Sequence, residues 1–336
     1  MSEKTLTAQQ RAQLFAMATR QNRQMLANQT ITSTPNTIQF QLPKARLLAG
    51  LMLSIKTVWG SGSSVSFENA DMNKFIRRIS LDLNNGFAPF VVSGEELSLY
   101  NIVDLNAENI CKEWAGRGNV AQKEFILNYY LPCTTNPRDP IGLILLQNDQ
   151  TNVTLNIDVG LITESGIDVE PSRVEVKVMA ETFSIPANAN AYPDLSVLKL
   201  VNGRKDSLPT SGQQIIKLST GTIYRKLILK LVDENGVEMT PDDITSNIEL
   251  VFNQADINYS IDPEMLQFLN AKELGLSDFV GGGVYIFDFS NSGGLPNLGG
   301  TRDFIDSANL TEFWIRFNTS KIGKCIIVSE CLARLS

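Results

Sequence analysis

Ile79-Ser-Leu-Asp-Leu-Asn84 and Ile248-Glu-Leu-Val-Phe-Asn253 spell the same strand twice, 169 residues apart. In both, apolar residues hold the first, third and fifth places and an asparagine closes the run, the period-two pattern of a half-buried strand ended by a turn residue. The register continues without a gap: Ser93, Glu95, Leu97, Leu99, Asn101 and Leu105 fall on Asp262, Glu264, Leu266, Phe268, Asn270 and Leu274. Each half therefore predicts a strand, a loop, and a helix opened by an N-cap Ser or Asp with a Glu at its second position. Upstream, Phe40, Leu42, Leu51, Leu53 and Ile55 fall on Ile216, Leu218, Leu227, Leu229 and Leu231 at an offset of 176, the seven-residue change being absorbed in a loop. A register that survives a switch from strand to helix periodicity points to duplication.

Outward from this core the texture is β. Period-two runs predict strands at Thr37–Leu42, Leu47–Trp59, Ile76–Leu83, Phe125–Leu131, Gly142–Gln147, Val153–Leu161 and Arg173–Ile185. They resume at Leu195–Val201, Gln214–Ser219, Tyr224–Val232, Asn247–Asn253, Val284–Phe289, Phe313–Phe317 and Lys324–Cys331. Asp233-Glu-Asn-Gly236 is a hairpin turn. Between the two series, residues 185–194 carry small residues bounded by Pro186 and Pro193 and read as a linker. Ahead of both, residues 7–28 predict one amphipathic helix: Thr7 with Gln10 suits a capping box, and Leu14, Phe15, Ala18, Met25 and Leu26 share a side away from Arg11, Gln21 and Asn22. The expected organisation is a helical arm at 1–29, a jelly roll at 30–184, a linker at 185–194 and a second jelly roll at 195–336. The fold class is all-β: two tandem jelly-roll β-sandwiches, each with one inserted helix.

A length of 336 residues suits two domains of roughly 150 residues. No run approaches the ~18 apolar residues that span a bilayer, and Met1–Gln10 lacks the regions of a secretory signal, so a soluble, unsecreted chain is expected. Cys111, Cys133, Cys325 and Cys331 show no CxxC spacing and read as reduced, packed thiols, the last two on one strand face. Histidine is absent, which excludes a Ser-His-Asp or Cys-His nucleophile and any His-based metal centre. No catalytic residue, cofactor or metal site is expected. Net charge is −7, but residues 1–29 carry Lys4, Arg11, Arg20 and Arg23 against Glu3, or +3, leaving −7 − 3 = −10 on the remainder. An acidic body argues against a sequence-specific nucleic-acid surface.

Sharper chemical readings lose to bland ones. The glycines at 281–283, 293–294 and 299–300 match neither GxxxxGK[ST] nor a strand-linked GxGxxG, so a flexible surface loop is expected there, with 290–302 an exposed loop. Glu95-Glu96 and Asp242-Asp243 are adjacent pairs pointing apart, unlike a glycosidase pair. Trp59, Trp114, Trp314, Tyr129 and Tyr130 read as core rather than a sugar platform.

The N-terminal run Leu6-Thr-Ala-Gln-Gln-Arg-Ala-Gln-Leu14 to Arg23-Gln-Met-Leu-Ala27, leading through a polar segment into two tandem jelly rolls, resembles the double jelly-roll major capsid proteins of tailless icosahedral viruses, the membrane-containing tectivirus-like lineage in particular. The resemblance implies a homotrimer forming a pseudo-hexagonal tile, neighbouring trimers, vertex and minor capsid proteins as partners, and a virion location after assembly in the host cytoplasm. It also implies an N-terminal arm lying beneath the tile, toward neighbours or an internal lipid membrane. Arg11, Leu14, Phe15 and Arg20 on that arm are the expected assembly contacts. The rival expectation is a duplicated β-sandwich binding module, such as a virion spike or carbohydrate-binding protein.

Overall fold

A computed structural model describes residues 8–60, 65–67, 70–84, 86–105, 117–119, 123–135, 140–147, 152–290 and 304–334. The chain divides into two compact units, one of residues 1–98, 112–199 and 334–336, the other of residues 99–111 and 200–333.

In the first unit the principal strands are β1 (Gln21–Met25), β2 (Asn36–Gln41), β3 (Leu47–Val58), β4 (Ile76–Leu83), β5 (Phe87–Val92), β6 (Glu124–Pro132), β7 (Val153–Val159) and β8 (Arg173–Phe183). Helix α1 (Ala8–Ala18) precedes β1, and α2 (Gly94–Asp104) follows β5. The strands run β1-β8-β3-β6 on one side and β2-β7-β4-β5 on the other. The second unit has β9 (Val197–Leu208), β10 (Gly212–Leu218), β11 (Ile223–Asp233), β12 (Ile248–Phe252), β13 (Asp256–Ile261), helix α3 (Pro263–Leu274), β14 (Val284–Asp288), β15 (Phe313–Thr319) and β16 (Gly323–Arg334). Their orders are β9-β16-β11-β14 and β10-β15-β12-β13. Adding eight to each label of the first unit gives the second, with a helix after the fifth strand in both. This is the double jelly roll, with antiparallel pairing of β1 and β3 with β8, β2 with β7, β10 with β15, β11 with β16 and β12 with β13.

Alternation builds the cores. Along β15, Phe313, Ile315 and Phe317 are buried while Trp314, Arg316 and Asn318 face out. They meet Leu227, Leu229 and Leu231 of β11, Leu250 of β12 and Ile327 of β16 in one cluster. In the first unit Leu51, Leu53 and Ile55 of β3 and Val176 and Val178 of β8 are likewise buried. Each such side chain taken from water contributes about 1.5–3 kcal/mol. Even the irregularities repeat. The pairing of β3 with β8 skips Ala49, and that of β11 with β16 skips Arg225, again 176 residues apart.

Three expectations are corrected. Residues 7–28 are not one helix: α1 ends at Ala18, where the Thr19 hydroxyl donates to the Phe15 carbonyl at 2.7 Å, and β1 follows, paired with β8 from Gln21↔Phe183 to Met25↔Met179. Thr7 lies outside the described residues. Gln29–Ile31 also pairs with β8, so the expected arm contains strands of the first sandwich. The loops expected before the inserted helices are strands, β5 and β13. The triglycine at 281–283 is held rather than free: Gly281 N–H donates to Gln267 Oε1 at 2.7 Å, Gln267 Nε2 to the Gly282 carbonyl at 2.7 Å, and Gly283 N–H to Glu238 Oε2 at 3.0 Å. A Cβ on Gly283 would lie 2.5 Å from the Leu231 carbonyl oxygen, so close backbone approach demands glycine there. The glycines at 293–294 and 299–300, the loop 290–302 beyond Ser290, Cys111 and Trp114 lie outside the described residues.

Candidate assembly surfaces

The arm residues divide. Phe15 is 5% exposed, packed in its own unit against Leu47, Ala49 and Leu143, with its ring edge-on to Phe183 at 5.4 Å. It serves the fold of its own unit. Leu14 is half-buried, and Arg11 and Arg20 are exposed. Backbone bonds tie Arg20 to Ser184, from Ser184 N–H to the Arg20 carbonyl at 3.0 Å and from Arg20 N–H to Ser184 Oγ at 2.9 Å. The free side of α1 presents Met17, 85% exposed.

Two apolar surfaces escaped the sequence reading. On α3, Asp262 caps the helix by accepting from Glu264 N–H and Met265 N–H at 3.0 and 3.1 Å, and Gly275 closes it at φ 68°. Leu266, Gln267 and Asn270 face inward. Asn270 Nδ2 donates to the Ile286 carbonyl at 2.8 Å and its Oδ1 accepts from Ile286 N–H at 3.0 Å, along β14 at the end of its sheet order. That orientation turns Met265 and Phe268 outward, 63% and 49% exposed. The second surface is a row across the outer face of the first unit: Met25 pairs with Met179, Met179 with Met52, and Met52 with Tyr130. Met25 is 53% exposed and the other three are half-buried. The Tyr130 hydroxyl donates to Glu181 Oε2 at 3.0 Å, and Glu181 also accepts from Arg23 Nε at 2.8 Å.

The second unit buries a polar cluster. Arg225 pairs with Glu330, the Tyr100 hydroxyl donates to Glu330 Oε2 at 2.5 Å, and Lys226 Nζ donates to Asp104 Oδ1 at 2.8 Å with Asp288 at 3.9 Å. Burial alone would lower the pKa of Lys226, but Asp104, Glu330 and Asp288 hold it above the ordinary lysine range. Burial, then the nearby carboxylates, push Tyr100 well above its ordinary value. Both groups keep their protons as fixed donors, which suits positioning rather than proton transfer.

The other expected candidates are structural. Glu96 Oε2 accepts from Ser93 N–H at 2.6 Å while Ser93 Oγ accepts from Glu96 N–H at 3.3 Å, a reciprocal cap. Asp243 accepts from Thr240 N–H at 3.1 Å and from Lys321 at 2.9 Å. Trp59 and Tyr129 are core, with Trp59 Nε1 donating to the Val169 carbonyl at 2.7 Å and Tyr129 to Asn73 Oδ1 at 2.9 Å. Tyr130 and Trp314 instead lie on outer faces, Trp314 beneath Lys217 at 5.6 Å. Burial pushes the Cys133 and Cys331 thiols up to about 12. No group of three or more metal-ligating side chains occurs among the described residues, and none of their helices is long and apolar enough to cross a membrane.

The sequence matches no family model and no curated protein. The fold, in contrast, superposes over nearly its whole length on viral coat structures. The STIV major capsid protein gives a TM-score of 0.69 at 15% identity, covering 94% of this chain and 97% of that one. The major capsid protein P2 of bacteriophage PM2 gives 0.57 at 11%, covering 94% and 98%. A chain of the PBCV-1 virus capsid gives 0.63 at 9%, covering 94% of each.

Proposed function

We propose that this chain is a major capsid protein that assembles as a homotrimer into pseudo-hexagonal capsomers tiling an icosahedral virion shell, with no catalytic activity of its own. The observation that carries the reading is the repeat of one strand order in both units, β1-β8-β3-β6 with β2-β7-β4-β5 becoming β9-β16-β11-β14 with β10-β15-β12-β13. Two like domains repeated by a threefold axis offer six like faces, which is how three copies make a hexagonal tile. Likeness over 94% of the chain to capsid structures of three viruses supports the same reading.

Within that function the domain organisation is a short N-terminal element followed by two jelly rolls, and Arg11, Leu14 and Arg20 face neighbouring tiles while Phe15 anchors the element to its own subunit. Vertex and minor capsid proteins complete the shell, and the basic start of the chain faces either neighbours or an anionic membrane beneath it. Attraction of a +3 segment to lipid is weak, about 1 kcal/mol per charge at most. Assembly takes place in the host cytoplasm and the product resides in the virion.

Light scattering coupled to size exclusion at neutral pH and modest salt tests the core of this reading. A stable species at three times 37.1 kDa, or shells built from it, is the expected result. A monomer across micromolar concentrations overturns it.

A further inference from the structure

The core of the second unit is open at one place. Along the inward row of β16, Cys325, Ile327 and Cys331 belong to the buried cluster, but Ser329 between them is only half-buried. It lines a cavity of about 110 Å³ whose walls are Leu200, Leu218, Tyr224, Ile327 and Cys331, within the sandwich where β10 turns into β11. Exposed Asn202 and Ser219 mark its mouth.

The duplicated core of the first unit is sealed at the same positions. The pairing Leu227↔Ser329 corresponds to Leu51↔Ala180, and Leu218 corresponds to Leu42, both at the offset of 176. Ala180 and Leu42 are 2% and 4% exposed, whereas Ser329 and Leu218 are both half-buried. The opening is therefore not a requirement of the fold. Protein interiors are close-packed, and wall atoms facing a void lose their dispersion contacts, so an occupant that restores them is bound.

The polar groups at the cavity select the occupant. The Tyr224 hydroxyl donates to the Ser219 carbonyl at 2.6 Å and the Ser329 hydroxyl to the Asn202 carbonyl at 3.3 Å. Arg204, also in the lining, donates from Nη2 to the Lys217 carbonyl and meets Asp206 Oδ2 at 2.9 Å. Its Nε is buried and has no hydrogen-bond partner among the described residues. A buried donor left unmet is costly, and because Asp206 already balances the guanidinium charge, a neutral oxygen is enough to meet it. An apolar cavity of about 150 Å³ holds a benzene, so this smaller, open-mouthed one suits a single ring with its oxygen near the mouth. Water fits the apolar walls poorly, since an ordered water needs two to four polar partners.

We propose that this cavity of the second unit is a binding site for a compact apolar molecule, about one ring in size, bearing one hydrogen-bond-accepting oxygen that meets Arg204 Nε. Its occupant binds only the folded chain and so stabilises the subunit by mass action. The site does not depend on the coat-protein reading and adds a ligand to it.

The test is calorimetric titration of the full-length chain with phenol and with toluene, rings of similar size that differ in the oxygen. Phenol is expected to bind with a dissociation constant of about 1 mM or tighter, within reach of so small a ligand. Ser329→Ile fills the cavity and should weaken both ligands at least about tenfold, with the melting temperature as the control for folding. Leu218→Phe stands in should Ser329→Ile fail that control. Arg204→Met removes the donor and should weaken phenol about tenfold while leaving toluene unchanged. A wild type that gives no heat with phenol at about 10 mM, ten times the expected dissociation constant, overturns the site. Phenol binding that survives both filling variants places the ligand elsewhere and overturns it equally, and phenol binding that Arg204→Met leaves intact overturns the assigned contact.

Discussion

Asn84 and Asn253 sit in the left-handed region at φ 54° and 49°, each just past the fourth strand of its unit. Asparagine tolerates that conformation better than other residues with a Cβ because its short amide bonds locally. Asn84 exchanges bonds with Asn152 at 2.9 Å in both directions. Asn253 N–H donates to the Glu312 carbonyl at 3.0 Å, and its Oδ1 accepts from Thr311 N–H and Thr311 Oγ1 at 2.9 and 3.1 Å. One residue thus fixes a turn and clasps the loop entering the seventh strand. Asn253→Ala should cost about 2 kcal/mol through lost bonds and backbone strain, and Asn253→Gly less, read as denaturation midpoints. The buried donors make a pH prediction. Tyr100 and Lys226 both have folded pKa values raised above their ordinary 10.0 and 10.5. Stability from a raised pKa is complete below the unfolded value and is lost as pH climbs toward the folded one. The melting temperature should therefore fall from about pH 10 upward, and Tyr100→Phe, less stable at neutral pH by about 1–3 kcal/mol, should show a shallower alkaline fall.

Elements were legible in the sequence where their signal is local. β4, β12 and the two inserted helices carry apolar periodicity and caps within a few residues, so the repeat could be read from them. β5 and β13 could not: Pro89 interrupts the first, and the second ends its sheet order with Asp256, Asn258 and Ser260 exposed, so neither shows a clean buried face. β1 has no β-branched or aromatic residue, and its partner β8 lies some 160 residues away, so a helix-like composition hid a strand held by tertiary pairing. The candidate surfaces were hidden differently. Phe268 has the spacing of a core residue, and only the bonds of Gln267 and Asn270 to the segment 281–286 rotate it outward. Because Gln21–Met25 and Gln29–Ile31 are strands paired with β8, deleting residues 1–29 should destabilise the first unit itself, seen as a lower melting temperature. Phe15→Ala alone should cost about 3 kcal/mol for a buried aromatic.

At the scale of the whole molecule, two sandwiches of one design leave Met25, Met265 and Phe268 exposed, and under the proposed function assembly is what buries them. Each copy carries a net charge of −7, so copies repel over a distance set by the salt. With apolar contact surfaces the dissociation constant should fall as salt rises from about 0.01 to 0.5 M, measured by sedimentation; a rise instead would identify ion pairs as the dominant contact. The side-chain amide of Asn270, meeting both the N–H and the C=O of Ile286, stands in for one rung of a further strand at the end of the sheet order. A bare edge is a template on which a strand of another chain can add, so this amide guards the edge of β14 against fibrous precipitation. Asn270→Leu should leave the edge of β14 unpaired there and turn concentrated solutions turbid, read as scattered light.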